Sequence, residues 1–453
     1  MVSNAGAVGK DKLKRKMSFS DIFFLSIGGQ APFLSMLTYT TAVVVLTAGF
    51  APVVVIIGTL IVLLNGLVVS YLSRKFTSTG GYFNYAFYGL SKRLGLETGV
   101  IYTFYSVLYG CAYVAGSTFI INYLLHIPVF ISFLASIVPA SILMLIGIKP
   151  SAHYAIVASS LEIAVLVLMF LVSMFFAHFT FYNPISFYNP VSSKQWFSLF
   201  ILGILYAIGI PTGYGSITPV SGEVKKAEVN VGRAAILVII VGGGLMALVL
   251  YGLVDVLIYE GQLGTVISRG TPILFTLRGV FGPFTFPVII LAAISDGILA
   301  TLAFMLAGSR NLYAMSLNRL LPANLTFLRY DNPLVAGMVT IVLYLAILLP
   351  LFRIESPFNA FLTLGALAGM GNLFIHISAN FSLIKINIDA MIRRLREIIV
   401  GSVAQILSFS VLLLSIINSE NSAIGYVFLG FVIVAFIYTE MLGMTKAGKS
   451  IFS

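Results

Sequence analysis

Apolar residues fill the chain in runs of about twenty, and polar and charged positions fall in short stretches between them. A run of that length, wound as a helix rising 1.5 Å per residue, crosses the ~30 Å hydrocarbon layer of a bilayer. Lipid offers the backbone no hydrogen bonds, so unbroken apolar runs of this length read as spanning helices. The pattern predicts about twelve of them, near 20–49, 51–72, 96–124, 128–147, 151–179, 196–220, 233–259, 283–314, 332–351, 357–384, 398–418 and 422–443. The stretch RKFTSTGGYFNYAFYGLSKRLG between the second and third runs is too polar at both ends to span. It predicts a short cytoplasmic helix.

Two runs carry residues that a helix interior tolerates poorly. In the first, SIGGQAPFLSM (residues 26 to 36) places two glycines and a proline inside a segment running from about Phe19 to Gly49. In the sixth, YAIGIPTGYGSITPVSG (206 to 222) collects Gly209, Pro211, Gly213, Gly215 and Pro219. Glycine weakens the backbone ladder and proline interrupts it. One such site reads equally as a kink or a close packing point. A break near the start of each half is the pattern of transporters built from inverted repeats, in which spans one to five and six to ten pair about an axis in the membrane plane. The breaks then meet at mid-membrane. There, free amides and helix N-termini hold an anion and unwound carbonyls hold a cation, so a zwitterion is a natural ligand.

Composition fixes the class. Of 453 residues, 59% are hydrophobic and 9% charged, with a mean hydropathy of +1.05. That is outside the range of soluble globular domains and leaves no room for a separate one. The fold class expected is all-α and polytopic, with broken helices 1 and 6 in a 5+5 inverted repeat followed by two C-terminal helices. The segments are a cytoplasmic basic N-terminus (1–17), the first repeat (18–180), the second repeat (181–385), and a pair of helices with a cytoplasmic C-terminus (386–453).

Charge gives the orientation. With a cytoplasmic N-terminus, the inner segments collect Lys10 to Lys16, Arg74, Lys75, Lys92, Arg93, Lys149, Lys225, Lys226, Arg233, Arg310, Arg319, Arg329, Lys385, Arg393, Arg394, Arg396, Lys446 and Lys449. The outer segments keep Lys194, Arg269, Arg278 and Arg353. That asymmetry fits an even number of spans with both termini inside the cell membrane. It also accounts for the net charge of +11 through anionic headgroups rather than nucleic acid. The basic KDKLKRK start leads into a span with no small-residue cleavage site, so no targeting peptide is expected. A single cysteine, Cys111, excludes an intrachain disulfide and a multi-cysteine metal site, and no phosphate-cradling loop with a Gly-Lys-Ser/Thr ending occurs. No metal and no cofactor are expected, and ATP is not the energy source.

Acidic residues within spans carry the next candidates. Glu162 lies ~15 Å into the fifth run and Asp296 near the middle of the eighth, with no lysine or arginine at their depth. An unpaired buried carboxylate is expensive, and it escapes by protonation, a bound cation or a charged substrate. The structural alternative is a neutral acid hydrogen-bonded to broken backbone or hydroxyls. Asp255 and Glu440, nearer span ends, read as solvated. In the third run, Tyr102, Tyr105, Tyr109 and Tyr113 recur at helical spacing and put four phenols on one face through ~16 Å, too long for one headgroup level. They read as lining a pathway or as a lipid-facing accident. His376 in the tenth run reads as a packing histidine, outside the site.

Four separated motifs then bear on family. STGGYFNYA (78 to 86) looks like a Gly-Gly-x-Tyr-x-Tyr-Ala segment, and GIKPSA (147 to 152) like a Gly-Val-Lys-x-Ser-Ala opening of the fifth span. GEVKKAEVNVGRA (222 to 234) looks like a Glu-Glu-Val-Lys-Asn-Pro…Pro-Arg-Ala segment, and AGSRNLYAMSLNRLLP (307 to 322) like Ser-Arg-x-x-Tyr-Ala-Met…Leu-Pro. In this order and spacing, over roughly residues 17 to 445, the chain resembles the amino acid–polyamine–organocation superfamily of transporters. The resemblance implies an amino acid permease that binds its substrate at the two breaks and along the third span. The residues implied are Gly28, Gly29, Gln30, Ala31, Phe33, Leu34 and Ser35 from the first break, Gly209, Thr212, Gly213 and Gly215 from the second, and Tyr105 and Tyr109.

Departures from the family pattern change the detail. Where most members have Gly-x-Gly-Ile, this chain has Pro32-Phe33-Leu34 preceded by GGQA, so the carboxylate-binding amides implied are those of Gly29, Gln30, Ala31, Phe33, Leu34 and Ser35. Where many members have Gly-Phe-Glu, this chain has Gly213-Tyr214-Gly215 and no acid. Glu162 falls where some proton-coupled members place a lysine that stands in for sodium; the charge sign is reversed. Glu162 and Asp296 are therefore the ion-coupling candidates, with a proton preferred to sodium. The expected function is secondary active transport of an amino acid or related amine by alternating access, as a symporter and not an enzyme. The partners are a small-molecule substrate, a coupling ion and the lipid bilayer. The alternatives are an intramembrane enzyme built on the two carboxylates and a non-transporting amino acid sensor of the same fold.

Overall fold

A computed structural model describes residues 11–187, 193–270, 272–282, 285–417 and 422–445. Lys10, Lys446 and Lys449 of the basic termini lie outside these residues, as do the side chain of Lys194 and parts of the first and last predicted segments. Among the described residues, ten helices are long and apolar enough to cross a membrane. The two expected spans missing from that set are the first and the sixth, because neither is one continuous helix.

The first span starts on a capping box. The Ser18 hydroxyl accepts from the Asp21 amide at 3.3 Å and the Asp21 carboxylate accepts from the Ser18 amide at 2.7 Å. The helix Phe19–Gln30 ends where Ala31 enters the left-handed region at φ 43°, and a new helix, Pro32–Leu37, begins with proline at its first position. Proline suits a helix start because the amide it lacks would have no helical partner there. A third piece, Tyr39–Thr47, follows Thr38. The sixth span runs as Ser193–Gly209 and then gives way to two 3₁₀ turns, Thr212–Ser216 and Pro219–Glu223.

The other spans are Ala51–Ser73 (second), Lys92–Leu125 (third), Val129–Ile146 (fourth), Ile148–Phe176 (fifth) and Ala227–Tyr259 (seventh). Then come Thr285–Leu317 (eighth), Leu334–Ile354 (ninth), Pro357–Asn387 (tenth), Leu395–Ile417 (eleventh) and Ser422–Met444 (twelfth). The third span is 89% buried over its most apolar window and the twelfth 17%, so the bundle has an inner and an outer shell. The inner shell carries the polar residues. A helix facing protein can afford hydroxyls that a lipid-facing one cannot.

The stretch after the second span forms a short helix, Tyr82–Gly89; every residue except Tyr88 is buried, and the Tyr82 ring meets the His376 ring edge-on at 5.0 Å. One expectation is corrected: Asp255 is not solvated. It is 1% exposed and accepts hydrogen bonds from the Thr180 hydroxyl at 2.9 Å and the amides of Phe181 and Tyr182 at 3.1 and 3.3 Å. Its carboxylate satisfies loop amides that otherwise face apolar surroundings.

At the end of the bundle where the N-terminal segment lies, the four motifs converge. Met17 and Val224 pair as a short parallel bridge, with Met17 N–H donating to the Glu223 carbonyl and Lys225 N–H to the Met17 carbonyl, both at 2.9 Å. Gly80 N–H donates to the Pro219 carbonyl, and Lys149 reaches Asp21 at 2.7 Å. Arg310, fully buried, meets Glu223 at 2.8 Å. Lys14 and Lys16 flank Asp331 and hold its carboxyl below the usual carboxylate range.

Candidate functional site

The two interruptions touch. A β-carbon at Gly29 would lie 3.2 Å from the Gly213 carbonyl oxygen, and one at Gly213 would enter the Ser26 carbonyl and the Gln30 amide. Glycine is required at Gly213 because the two backbones approach where no side chain fits. The Gln30 side chain fastens the junction: its amide nitrogen donates to the Pro211 carbonyl at 3.1 Å and to the Val238 carbonyl, on the seventh span, at 3.0 Å.

Broken backbone leaves carbonyls without helical partners, and in a bilayer each needs a donor from the protein. The tyrosine row of the third span supplies them. Tyr113 donates to the Gln30 carbonyl at 2.8 Å, Tyr109 to the Gly209 carbonyl, and Tyr102 to the Gly215 carbonyl at 2.8 Å. Ser35 adds a second donor to Gln30 at 2.7 Å. Tyr105 is the exception. Its hydroxyl is buried, has no partner among the described residues, and lies 2.9 Å from where a Gly215 β-carbon would be. Thr212 turns back on its own helix, donating to the Ile208 carbonyl.

The amides of the first break are largely engaged inside the protein, contrary to the expectation that they are free for a carboxylate. Ala31 N–H closes the preceding helix on Gly28, Ser35 N–H donates to Ala31, and Leu34 N–H donates to Asp296 at 2.7 Å. Asp296 thus accepts from one of the amides that the resemblance implies for a substrate carboxylate. Its neighbour across the fifth and eighth spans is Glu162, to which the hydroxyl of Ser295, next to Asp296 in the chain, donates at 2.9 Å. The two carboxyls named together as ion-coupling candidates are thus brought to the same place.

Three further residues belong beside the junction and carry little sequence signal. Tyr39 is walled by the rings of Tyr109, Tyr113, Tyr206 and Phe361, with Gly209 and Gly365 against its face. His376, read as packing, accepts or donates at 2.8 Å with Tyr214, which sits between Gly213 and Gly215. Asn372 stands one turn earlier on the same helix and reaches Thr212 at 3.5 Å. The i, i+4 spacing of Asn372 and His376 was the available clue. Around the breaks, Ser26, Gln30, Tyr39, Tyr105, Asn372 and His376 each keep one buried polar atom with no hydrogen-bond partner among the described residues. Such atoms are costly unless something satisfies them.

Comparison with known proteins agrees with this fold. The family model for amino acid permeases matches residues 21–419. Crystal structures of variants of the manganese transporter of Eremococcus coleocola superpose with TM-scores of 0.56, 0.56 and 0.54, at 13% identity, covering 93% of this chain and 95% of theirs. No curated protein matches the sequence.

Proposed function

The chain belongs to the amino acid permease family, and from that premise we propose that this membrane transporter moves an amino acid or related amine across the cell membrane, driven by a proton gradient. The N-terminal face is cytoplasmic in this reading. The substrate sits at the junction of the two breaks, against Gly28 to Ser35, Gly209 to Gly215, Tyr105 and Tyr109. The ion step belongs to Glu162 and Asp296. The observation that carries the reading is the junction itself: two helices interrupted at mid-bundle, touching through Gly29 and Gly213 and ringed by unpartnered polar atoms.

The chemistry of the surroundings narrows the ligand. The junction is walled by tyrosine and phenylalanine and carries no lysine or arginine among the described residues, which disfavours an acidic amino acid. Aromatic walls suit apolar or aromatic side chains. The manganese named for the structural neighbours is not carried over. An identity of 13% brings the fold alone, and among the described residues no three His, Cys, Asp or Glu side chains gather where a metal could bind.

Thermal unfolding of the purified protein against a panel of amino acids and polyamines tests the binding half. A ligand at 100 times its dissociation constant stabilises by about 2.7 kcal/mol. A stabilising amino acid supports the reading; a panel with no effect at millimolar concentration counts against it. Uptake into proteoliposomes separates a transporter from an enzyme or a sensor, because only a transporter concentrates intact solute.

A further inference from the structure

Glu162 and Asp296 are 3% and 0% exposed, and the 2.9 Å hydrogen bond from the hydroxyl of Ser295, next to Asp296 in the chain, to Glu162 brings the two carboxyls together between the fifth and eighth spans. Each has spent one oxygen on a donor: Glu162 Oε1 accepts from the Ser295 hydroxyl at 2.9 Å, and Asp296 Oδ2 accepts from Leu34 N–H at 2.7 Å. The remaining oxygens, Glu162 Oε2 and Asp296 Oδ1, find no donor among the described residues. Two carboxyl groups hydrogen-bond only if one of them carries the hydrogen.

Among the described residues, no lysine, arginine or histidine bonds to either carboxyl. On the fifth and third spans the titratable neighbours are Tyr154 and Tyr113. On the first span, Asp21 is held by Lys149 at the bundle's end, and on the eighth, Arg310 is held by Glu223. The seventh span's Asp255 serves the loop after the fifth span. Two adjacent carboxylates without a cation cannot both ionise in such a place. A hard cation takes roughly six to eight oxygens, and this pair has two left to give.

We propose that Glu162 and Asp296 hold a single proton between Glu162 Oε2 and Asp296 Oδ1, and that its loss and recovery is the ion step of the transport cycle. This rests on the transporter reading and sets its ion stoichiometry at one proton per pair. With the proton in place, the pair carries one negative charge and Asp296 stays fixed on the Leu34 amide. The proton leaves to water when the pair is exposed on one side and returns from water on the other. Without it, two negative charges repel, and Asp296 can move only by releasing Leu34 N–H. That amide opens the helix after Ala31. Proton occupancy is thereby converted into the shape of the first break, which is where the substrate is placed.

Infrared spectroscopy of the purified full-length protein tests the proton, and proteoliposomes test its use. The wild type shows a protonated-carboxyl C=O band near neutral pH, and that band disappears in both Glu162→Gln and Asp296→Asn, since an amide NH₂ then supplies the hydrogen. In variants that fold, judged by the amide band, accumulation driven by a pH gradient falls at least tenfold. Ser295→Ala keeps both carboxyls and covers the case in which those variants misfold. It removes a donor that favours the charged form, so the pH midpoint of accumulation moves upward. The proposal is overturned if the wild type lacks the band, if only one substitution removes it, if either variant keeps full pH-driven accumulation, or if the Ser295→Ala midpoint stays put. A wild type that shows the band yet accumulates no amino acid or polyamine overturns the transporter reading and the coupling role together, while the shared proton stands.

Discussion

The Tyr109 hydroxyl and the Tyr105 hydroxyl are one helical turn apart on the same face and have opposite circumstances. Tyr109 serves the Gly209 carbonyl, and Tyr105 serves no described residue. Removing a donor strands a buried acceptor, so Tyr109→Phe should cost about 1 kcal/mol in unfolding free energy. Tyr105→Phe should leave stability within a few tenths of a kcal/mol and weaken ligand binding instead. Equal destabilisation by both would contradict the division of labour within the row. At Gly213 the effect is steric: a methyl group there meets backbone of the first span, and Gly213→Ala should destabilise by ~1–3 kcal/mol and lower affinity for any ligand that stabilises the wild type. Calorimetry with and without that ligand reads both. The row was legible as a polar face in the sequence. Its task was not, because spacing along one helix says nothing of which carbonyls on other helices lack partners.

At the scale of elements, the loop after the sixth span, the start of the chain and the end of the eighth span are locked together around one buried ion pair. Arg310 and Glu223 are 0% and 2% exposed, so each depends on the other for its charge. Breaking one side leaves an uncompensated charge, which costs ~3–5 kcal/mol, whereas replacing both by apolar residues of similar size is far cheaper. Arg310→Met alone should therefore lower the unfolding midpoint far more than Arg310→Met with Glu223→Leu. A double variant as damaged as the single would show that the pair does more than neutralise itself. Both residues were legible as parts of separate motifs. That they meet follows from the sixth span ending in 3₁₀ turns that turn Glu223 inward, and no local pattern announces that turn.

For the whole molecule, the apolar runs revealed the spans because the bilayer imposes one length on all of them, and glycine with proline marked the two that break. The end points agree to within a few residues for most spans, as the fifth, read near 151–179 and observed as Ile148–Phe176, illustrates. What stayed hidden was tertiary. Glu162 and Asp296 are far apart in sequence, and of the amides implied as ligand donors, that of Leu34 is held by the protein's own carboxylate while those of Ala31 and Ser35 bond to nearby backbone carbonyls. His376 looked like packing because one histidine on an apolar helix usually is. Its partner Tyr214 lies inside the second break, which only the fold brings within reach.

The central claim is that these two touching breaks form the binding site of a proton-driven transporter. Its most direct test is uptake of a panel of labelled amino acids and polyamines into proteoliposomes held alkaline inside, with wild type and Gly213→Ala in parallel. At least one labelled solute should accumulate intact above its outside concentration, a protonophore should collapse the gradient, and Gly213→Ala should lose most of the uptake. No accumulation of any solute, recovery of the label in a chemically altered product, or full uptake by Gly213→Ala would contradict it.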